Sequence, residues 1–120
     1  VKRLYEIDDL PEAFVCSGDT NAAYVLASCI QLGIPVPERV SVTGFDGVLS
    51  DRFFTLNARI TTMRQPLREM GLCAAKRLLR HIDHPGTPPE TSIFHARLVE
   101  GDTTSDLRRV SAEASVAATS

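Results

Sequence analysis

Hydrophobic residues along the chain occur in two patterns: continuous runs typical of buried strands, and the three-to-four-residue spacing typical of helices. A continuous run at 13–17 predicts a buried strand, and the segment 40–45 predicts a second one. We expect the helix between them to end at Gly33. Glycine suits the left-handed position that follows a helix, and Pro35 and Pro37 prevent the helix from continuing. The helical spacing joins Ala22, Ala23, Val25, Leu26, Cys29, Ile30 and Leu32.

The second half of the chain continues this alternation. A short run at 59–63 predicts a strand, and Pro66 marks the first turn of a long helix over 67–83. The segment 92–99 alternates apolar and polar side chains in its middle, which predicts a last strand. Residues 47–54 predict a short helix or turn. One side of the long helix is apolar and carries Leu67, Met70, Gly71, Ala74, Leu78 and Ile82.

Strands that alternate with helices in this way are typical of α/β folds, in which a mostly parallel sheet is flanked by helices. Ligands of such sheets bind beyond the carboxyl ends of the strands. Two acids lie at those ends: Asp19 follows the first predicted strand and Asp46 follows the second. This edge of the sheet is therefore the candidate site.

Length and composition narrow the class of protein. The chain has 120 residues and 43% hydrophobic residues, which indicates one globular domain. The net charge of −2 and the lack of a basic cluster argue against nucleic-acid binding by these residues themselves. The apolar runs are too short to cross a membrane and the start lacks the apolar core of a signal peptide, so we expect a cytoplasmic protein with no membrane partner. Cys16, Cys29 and Cys73 form no paired motif, which favours reduced core thiols over disulfides or a zinc ribbon.

A series of short motifs, spread over 11–104, resembles the C-terminal half of LacI/GalR-family transcriptional regulators. Each motif is common by itself, but their order and their distances together are specific. The motifs are G-D at 18–19, G-I-P-V-P at 33–37, S-V-T-G-F-D at 41–46, I-T-T-M-R-Q at 60–65 and the closing L-V-E-G at 98–101.

The resemblance implies a periplasmic-binding-protein-like type I fold, with two α/β subdomains and an effector in the cleft between them. It makes residues 1–105 the C-terminal half of an effector-binding domain, with 67–83 as a helix that crosses back to the other subdomain. The segment 106–120 has small residues and no apolar stripe, so we expect a disordered tail.

The family resemblance also implies the partners. They are a small polar effector, sugar-like or nucleoside-like, an identical subunit in a homodimer, and operator DNA. The DNA contact would be made only through a helix-turn-helix headpiece that this sequence does not contain. We expect no cofactor, no metal and no catalysis.

Three positions depart from the family pattern. Gly18 stands where the family often has Asn, and Gly47 stands where a second acid usually follows Asp46. These two changes alter the pocket. Gly101 stands where the closing motif has Arg, and we expect this change only to loosen the C-terminal segment.

The predicted ligand-binding residues are Asp46, Gln65, Ser17, Gly18 and Phe53. By its chemistry Asp46 either holds ligand hydroxyls or closes the strand with an Asx-turn, and the resemblance favours the ligand contact. Gln65 is either an effector or hinge contact, as in the family, or a solvated loop residue. Phe53 and the neighbouring Phe54 either line the ligand site or pack in the core or the dimer contact, and packing or the interface is favoured over the ligand.

Other residues have simpler explanations than a functional site. Asp19 is predicted to cap the helix that follows it. Arg64 is predicted to lie on the surface. His81 and His84 have metal-ligand spacing but lack an evident third ligand.

Two other classes of protein remain as alternatives. A periplasmic sugar-binding transport protein has the same fold, although the segment T-T-M-R-Q-P-L-R-E-M-G favours the regulator. An enzyme that holds Mg²⁺ between Asp19 and Asp46 is disfavoured, because no lysine or threonine at a strand end completes such a site.

Overall fold

The computed structural model describes residues 1–48 and 58–105, which form three helices and four strands. In chain order these elements are α1 (Lys2–Glu6), β1 (Ala13–Val15), α2 (Asp19–Gln31), β2 (Ser41–Asp46), β3 (Thr61–Arg64), α3 (Leu67–Asp83) and β4 (Arg97–Val99).

The strands make one sheet in the order β1-β2-β3-β4. Strands β1, β2 and β3 are parallel, and β4 is antiparallel to β3. The predicted α/β fold with a mostly parallel sheet is confirmed, and α1 is an element that the hydrophobic pattern did not predict. The predictions for 47–54 and for 106–120 fall mainly or wholly on residues outside the described ranges.

Helix α2 supplies the hydrophobic core on one face of the sheet. Ala22 and Cys29 of α2 pack with Val40 and Val42, and all four are 0% exposed. Complete burial of a valine side chain stabilises a fold by about 1.5–3 kcal/mol relative to its exposure. The apolar spacing that predicts α2 therefore also identifies the face that makes the core.

The end of α2 is set by a left-handed glycine, as predicted. Gly33 has a φ of 66°, and its N–H donates to the carbonyl of Ile30 at 3.2 Å. The N–H of Ile34 donates to the carbonyl of Cys29 at 2.9 Å. This pair of bonds satisfies the last helix carbonyls, and it brings the buried Ile34 back onto the core.

The three cysteines are free thiols. Cys29 is buried, whereas Cys16 and Cys73 are half-buried, so the prediction of core thiols is confirmed fully only for Cys29. Burial raises the pKa of both Cys16 and Cys29. These two thiols therefore stay protonated at neutral pH, which makes them poor nucleophiles.

Strand β4 is shorter than predicted. The alternating pattern predicts a strand over 92–99, but only Arg97–Val99 pairs with β3. In the antiparallel register Arg97 lies opposite Arg64, so residues before Arg97 would have to pair with Gln65 and Pro66. Pro66 has no N–H to donate and precedes α3, so the ladder ends there.

The segment 101–104 fits beside the starts of β2 and β3. Thr103 is 1% exposed, its hydroxyl donates to the carbonyl of Val42 at 2.6 Å, and the same oxygen accepts the Thr61 N–H at 3.0 Å. Arg59 donates to the Asp102 carboxylate, and these hydrogen bonds lower the pKa of Asp102. The expectation that Gly101 merely loosens the C-terminal segment is therefore wrong for these residues.

Gly101 is required by close packing, because a side chain there would meet the backbone carbonyl of Arg59. We expect Gly101→Ala to lower the free energy of unfolding by about 1–3 kcal/mol through overpacking. Urea unfolding of the full-length protein measures this change. Gly86→Ala is the matched control, since a methyl group at Gly86 meets nothing within 4 Å. Equal stability of the two variants would contradict the packing argument.

Helix α3 has the predicted bounds, but none of its residues is buried in the described part of the chain. Its contacts are polar ones to the following loop: Arg77 donates to the Glu90 carbonyl at 2.7 Å and to the Ser92 hydroxyl at 2.7 Å. The exposed fractions of Leu78 and Ile82 are 62% and 64%. The apolar side of α3 thus has no partner among the described residues.

None of the helices in the described ranges has the length and apolar content needed to cross a bilayer.

Candidate functional site

The candidate site lies where β2 and β3 end, at the carboxyl edge of the parallel strands. Asp46 is the last residue of β2, and its φ of 106° is far from the values that side-chain-bearing residues usually adopt. Gly47 follows with a φ of 69°. These two residues turn the chain sharply, so the half-buried Asp46 carboxylate stands at the end of the sheet.

Gln65, the residue after β3, meets Asp46 directly. Its side-chain Nε2 donates to Asp46 Oδ1 at 2.7 Å, and its backbone N–H donates to the Asp46 carbonyl at 3.3 Å. The structure therefore brings together two residues that the sequence indicates separately. It also argues against an Asx-turn, because the N–H of Val48 that such a turn would use is bound to Asp19 instead, at 3.0 Å.

Gly18 lies on the other side of the Asp46 carboxylate. A Cβ atom placed on Gly18 would be 3.2 Å from Asp46 Oδ2. The glycine at this position therefore gives Oδ2 room that a larger residue would take. Ser17 is exposed and its hydroxyl accepts a hydrogen bond from Asn21 Nδ2 at 3.0 Å.

The structure also bears on Gly47 and Arg64. A Cβ atom on Gly47 would lie 2.6 Å from the Cβ of Arg64, so this backbone has no room for a second acid after Asp46. Arg64 itself is exposed, as predicted. Phe53 lies outside the described residues.

Asp19 does not cap α2, which corrects the prediction. The cap position is held by Gly18 without a side-chain hydrogen bond, and Asp19 is the first residue of the helix. The Asp19 side chain is nearly fully buried, with 3% exposure, and its Oδ1 accepts from the Thr62 hydroxyl at 2.5 Å. Its Oδ2 accepts the Val48 N–H. Thr62 and Val48 are members of this cluster that the sequence reasoning missed.

A second polar cluster lies at the C-terminal end of α3. Arg77 and Arg80 pair with Glu90 there, at 3.4 Å and 3.0 Å. With His81 and residues 87–90 they line a shallow surface cleft. Within residues 1–48 and 58–105 the structure contains no group of three His, Cys, Asp or Glu side chains that could hold a metal ion. This cleft shares no residue with the Asp46 site.

Comparison with known proteins places these features in a family context. A family described as "Periplasmic binding protein-like domain" matches residues 1–104. The "Uncharacterized HTH-type transcriptional regulator YvdE" of Bacillus subtilis is 38% identical over 103 residues, which are 86% of this chain and 32% of YvdE. The chain spans about a third of the length of the curated relatives it matches.

Solved structures show the same fold. A LacI family transcriptional regulator from Enterococcus faecium with bound ribose superposes with a TM-score of 0.73 at 25% identity, over 86% of this chain and 38% of that one. The xylose-binding transcription activator xylR superposes with a TM-score of 0.71 at 29% identity, over 85% of this chain and 28% of that one. The α/β architecture described above is thus found in proteins that regulate transcription.

Proposed function

We propose that this chain, which belongs to the LacI/GalR family and its periplasmic binding protein-like domain, forms the C-terminal half of the effector-sensing domain of a transcriptional regulator. The observation that carries the proposal is the Asp46 carboxylate. Gln65 donates to one of its oxygens at 2.7 Å, and the glycine at position 18 leaves room beside the other at the carboxyl edge of the sheet. Asp46, Gln65, Ser17 and Gly18 form the half of the site that this part of the chain supplies, and Phe53, which lies outside the described residues, stays a predicted member of it.

A small polar molecule with hydroxyl groups suits this site best. A carboxylate only accepts hydrogen bonds, and its second oxygen can take two hydroxyl donors from one ligand. The names of two structural relatives, one with bound ribose and one described as xylose-binding, support a sugar. A nucleoside offers the same pair of hydroxyls on its ribose and is the other candidate of this class.

The regulatory mechanism follows from linkage between binding and domain closure. An effector held on one side by Asp46 and on the other by the remaining half of the domain favours the closed arrangement by the difference in its affinity for the two states. Closure would change the geometry of a homodimer and so its affinity for operator DNA, which a separate headpiece would bind. Such a protein acts in the cytoplasm, and its site needs no catalytic group or cofactor.

The ligand class is tested by calorimetry on the full-length protein. We expect one of D-ribose, D-xylose, D-glucose, sucrose or adenosine to bind with one site per subunit. Binding of none of these compounds would contradict the proposed sugar-like or nucleoside-like effector.

The class of protein is tested by the gene sequence upstream of Val1. A helix-turn-helix segment there supports the regulator, and a signal peptide supports a transport protein instead. This single observation separates the two functions that share the fold.

A further inference from the structure

We propose that Asp19 is a positioning residue for the effector site: one buried carboxylate ties the end of β2 to β3 and thereby holds Asp46 and Gln65 at hydrogen-bonding distance. The inference rests on the proposed function, because it concerns the same site. It adds a role for Asp19 and for Thr62, neither of which is placed against the ligand.

The Asp19 side chain runs from α2 across β2. A methyl group on the buried Gly44 would strike the Asp19 carboxylate, so the acid lies flat against the strand only because residue 44 is glycine. Gly44 is the register partner of Thr62 on β3. Beyond Gly44, Asp19 Oδ1 therefore reaches the Thr62 hydroxyl at 2.5 Å.

The second oxygen of the Asp19 carboxylate binds the backbone just after β2. Asp19 Oδ2 accepts the N–H of Val48 at 3.0 Å, two residues after Asp46. The Asp19 carboxylate thus packs against Gly44 and binds Val48, and Asp46 lies between these two residues. The φ of 106° at Asp46 is a costly backbone conformation, and such conformations persist when the surrounding contacts hold them.

Asp19 also binds β3, the strand that leads to Gln65. Thr62 lies on β3, three residues before Gln65, which directly follows that short strand, so the bond from Asp19 to Thr62 helps to fix β3 relative to β2 at the site. Hydrogen bonds to an ionised acceptor are stronger than neutral ones, and burial strengthens them further.

Thr62 offers a cleaner test than Asp19, whose replacement at the start of a core helix risks unfolding. Thr62→Val removes the hydroxyl donor and keeps the shape, whereas Thr62→Ser keeps the donor. Thr61→Val is the control: Thr61 is the neighbouring strand residue and is 5% exposed against 6% for Thr62. Its hydroxyl bonds to Thr104 at 2.8 Å and accepts the Gly101 N–H at 3.1 Å, both away from Asp19.

Two readouts are measured on the full-length protein. The first is affinity for D-ribose and D-xylose by calorimetry, and we expect Thr62→Val to weaken it about tenfold, which is the change one strong hydrogen bond produces. The second is the NMR signal of the Gln65 side-chain amide, assigned as the signal lost in Gln65→Glu. We expect it to shift toward the free-amide position in Thr62→Val and to stay in place in Thr62→Ser and Thr61→Val.

The outcomes separate this inference from the proposed function. If Thr62→Val unfolds as easily as Thr61→Val but leaves the Gln65 amide signal unchanged, Asp19 is only structural and the inference is overturned. If the wild-type protein binds neither sugar, the sugar-effector proposal loses support, while the Gln65 signal still decides whether Asp19 positions the site. A shift of equal size in Thr61→Val would also overturn the inference, because it would show a general loss of packing.

Discussion

Replacing Asp46 by alanine is expected to weaken effector binding by the full-length protein about 10- to 100-fold, with little change in the free energy of unfolding. The loss corresponds to about 1.5–3 kcal/mol, the usual value of a hydrogen bond to a charged group. Stability changes little because the carboxylate is only half-buried, and its described side-chain hydrogen bond is the one from Gln65. Calorimetry with the best-binding sugar measures the affinity, and urea unfolding measures the stability.

Asp46→Asn is the control that separates charge from shape. An asparagine keeps an oxygen that can accept from Gln65 Nε2, and it tolerates the positive φ of this position better than alanine does. The asparagine loses the charge and one acceptor, both of which the ligand hydroxyls would use. We therefore expect Asp46→Asn to retain full stability and still bind weakly. Wild-type affinity in both variants would remove Asp46 from the site.

The parts of the fold that the sequence predicts correctly are those decided by neighbouring residues. Helix α3 begins directly after Pro66 and runs over its predicted range, and α2 ends next to Gly33. Strand β4 is the counter-example. Its length depends on what β3 offers as a partner, and the alternation of residues 92–99 contains no information about that.

The candidate site shows the same limit. The sequence indicates Asp46 and Gln65 separately, but the hydrogen bond between them depends on the register of β2 and β3. The sequence predicts a capping role for Asp19 because a cap uses the nearest amides. Its true donors, Val48 and Thr62, are 29 and 43 residues away in sequence, and no local pattern indicates them.

The second large effect concerns the apolar side of α3. The exposed fractions of Leu67, Leu78 and Ile82 are 50%, 62% and 64%, and no α3 residue is buried within the described residues. Each such side chain gains about 1–2 kcal/mol when it is covered, so several together favour association by a few kcal/mol. Under the proposed function this helix packs on the other half of the effector domain, and the chain spans only about a third of the length of its relatives. We therefore expect the isolated 120-residue chain to self-associate.

Sedimentation velocity over a hundredfold range of concentration tests this expectation, and two variants locate the contact. Leu78→Gln places a polar amide in the middle of the apolar side and should shift the chain toward monomer. Lys76→Gln also introduces glutamine, but on a different side of α3, and should leave the association unchanged. Both variants keep a good helix former, so helix propensity does not confound the comparison. A monomer mass that is constant over the whole concentration range would show that α3 finds its partner within its own chain, and the argument from its exposed leucines would then fail.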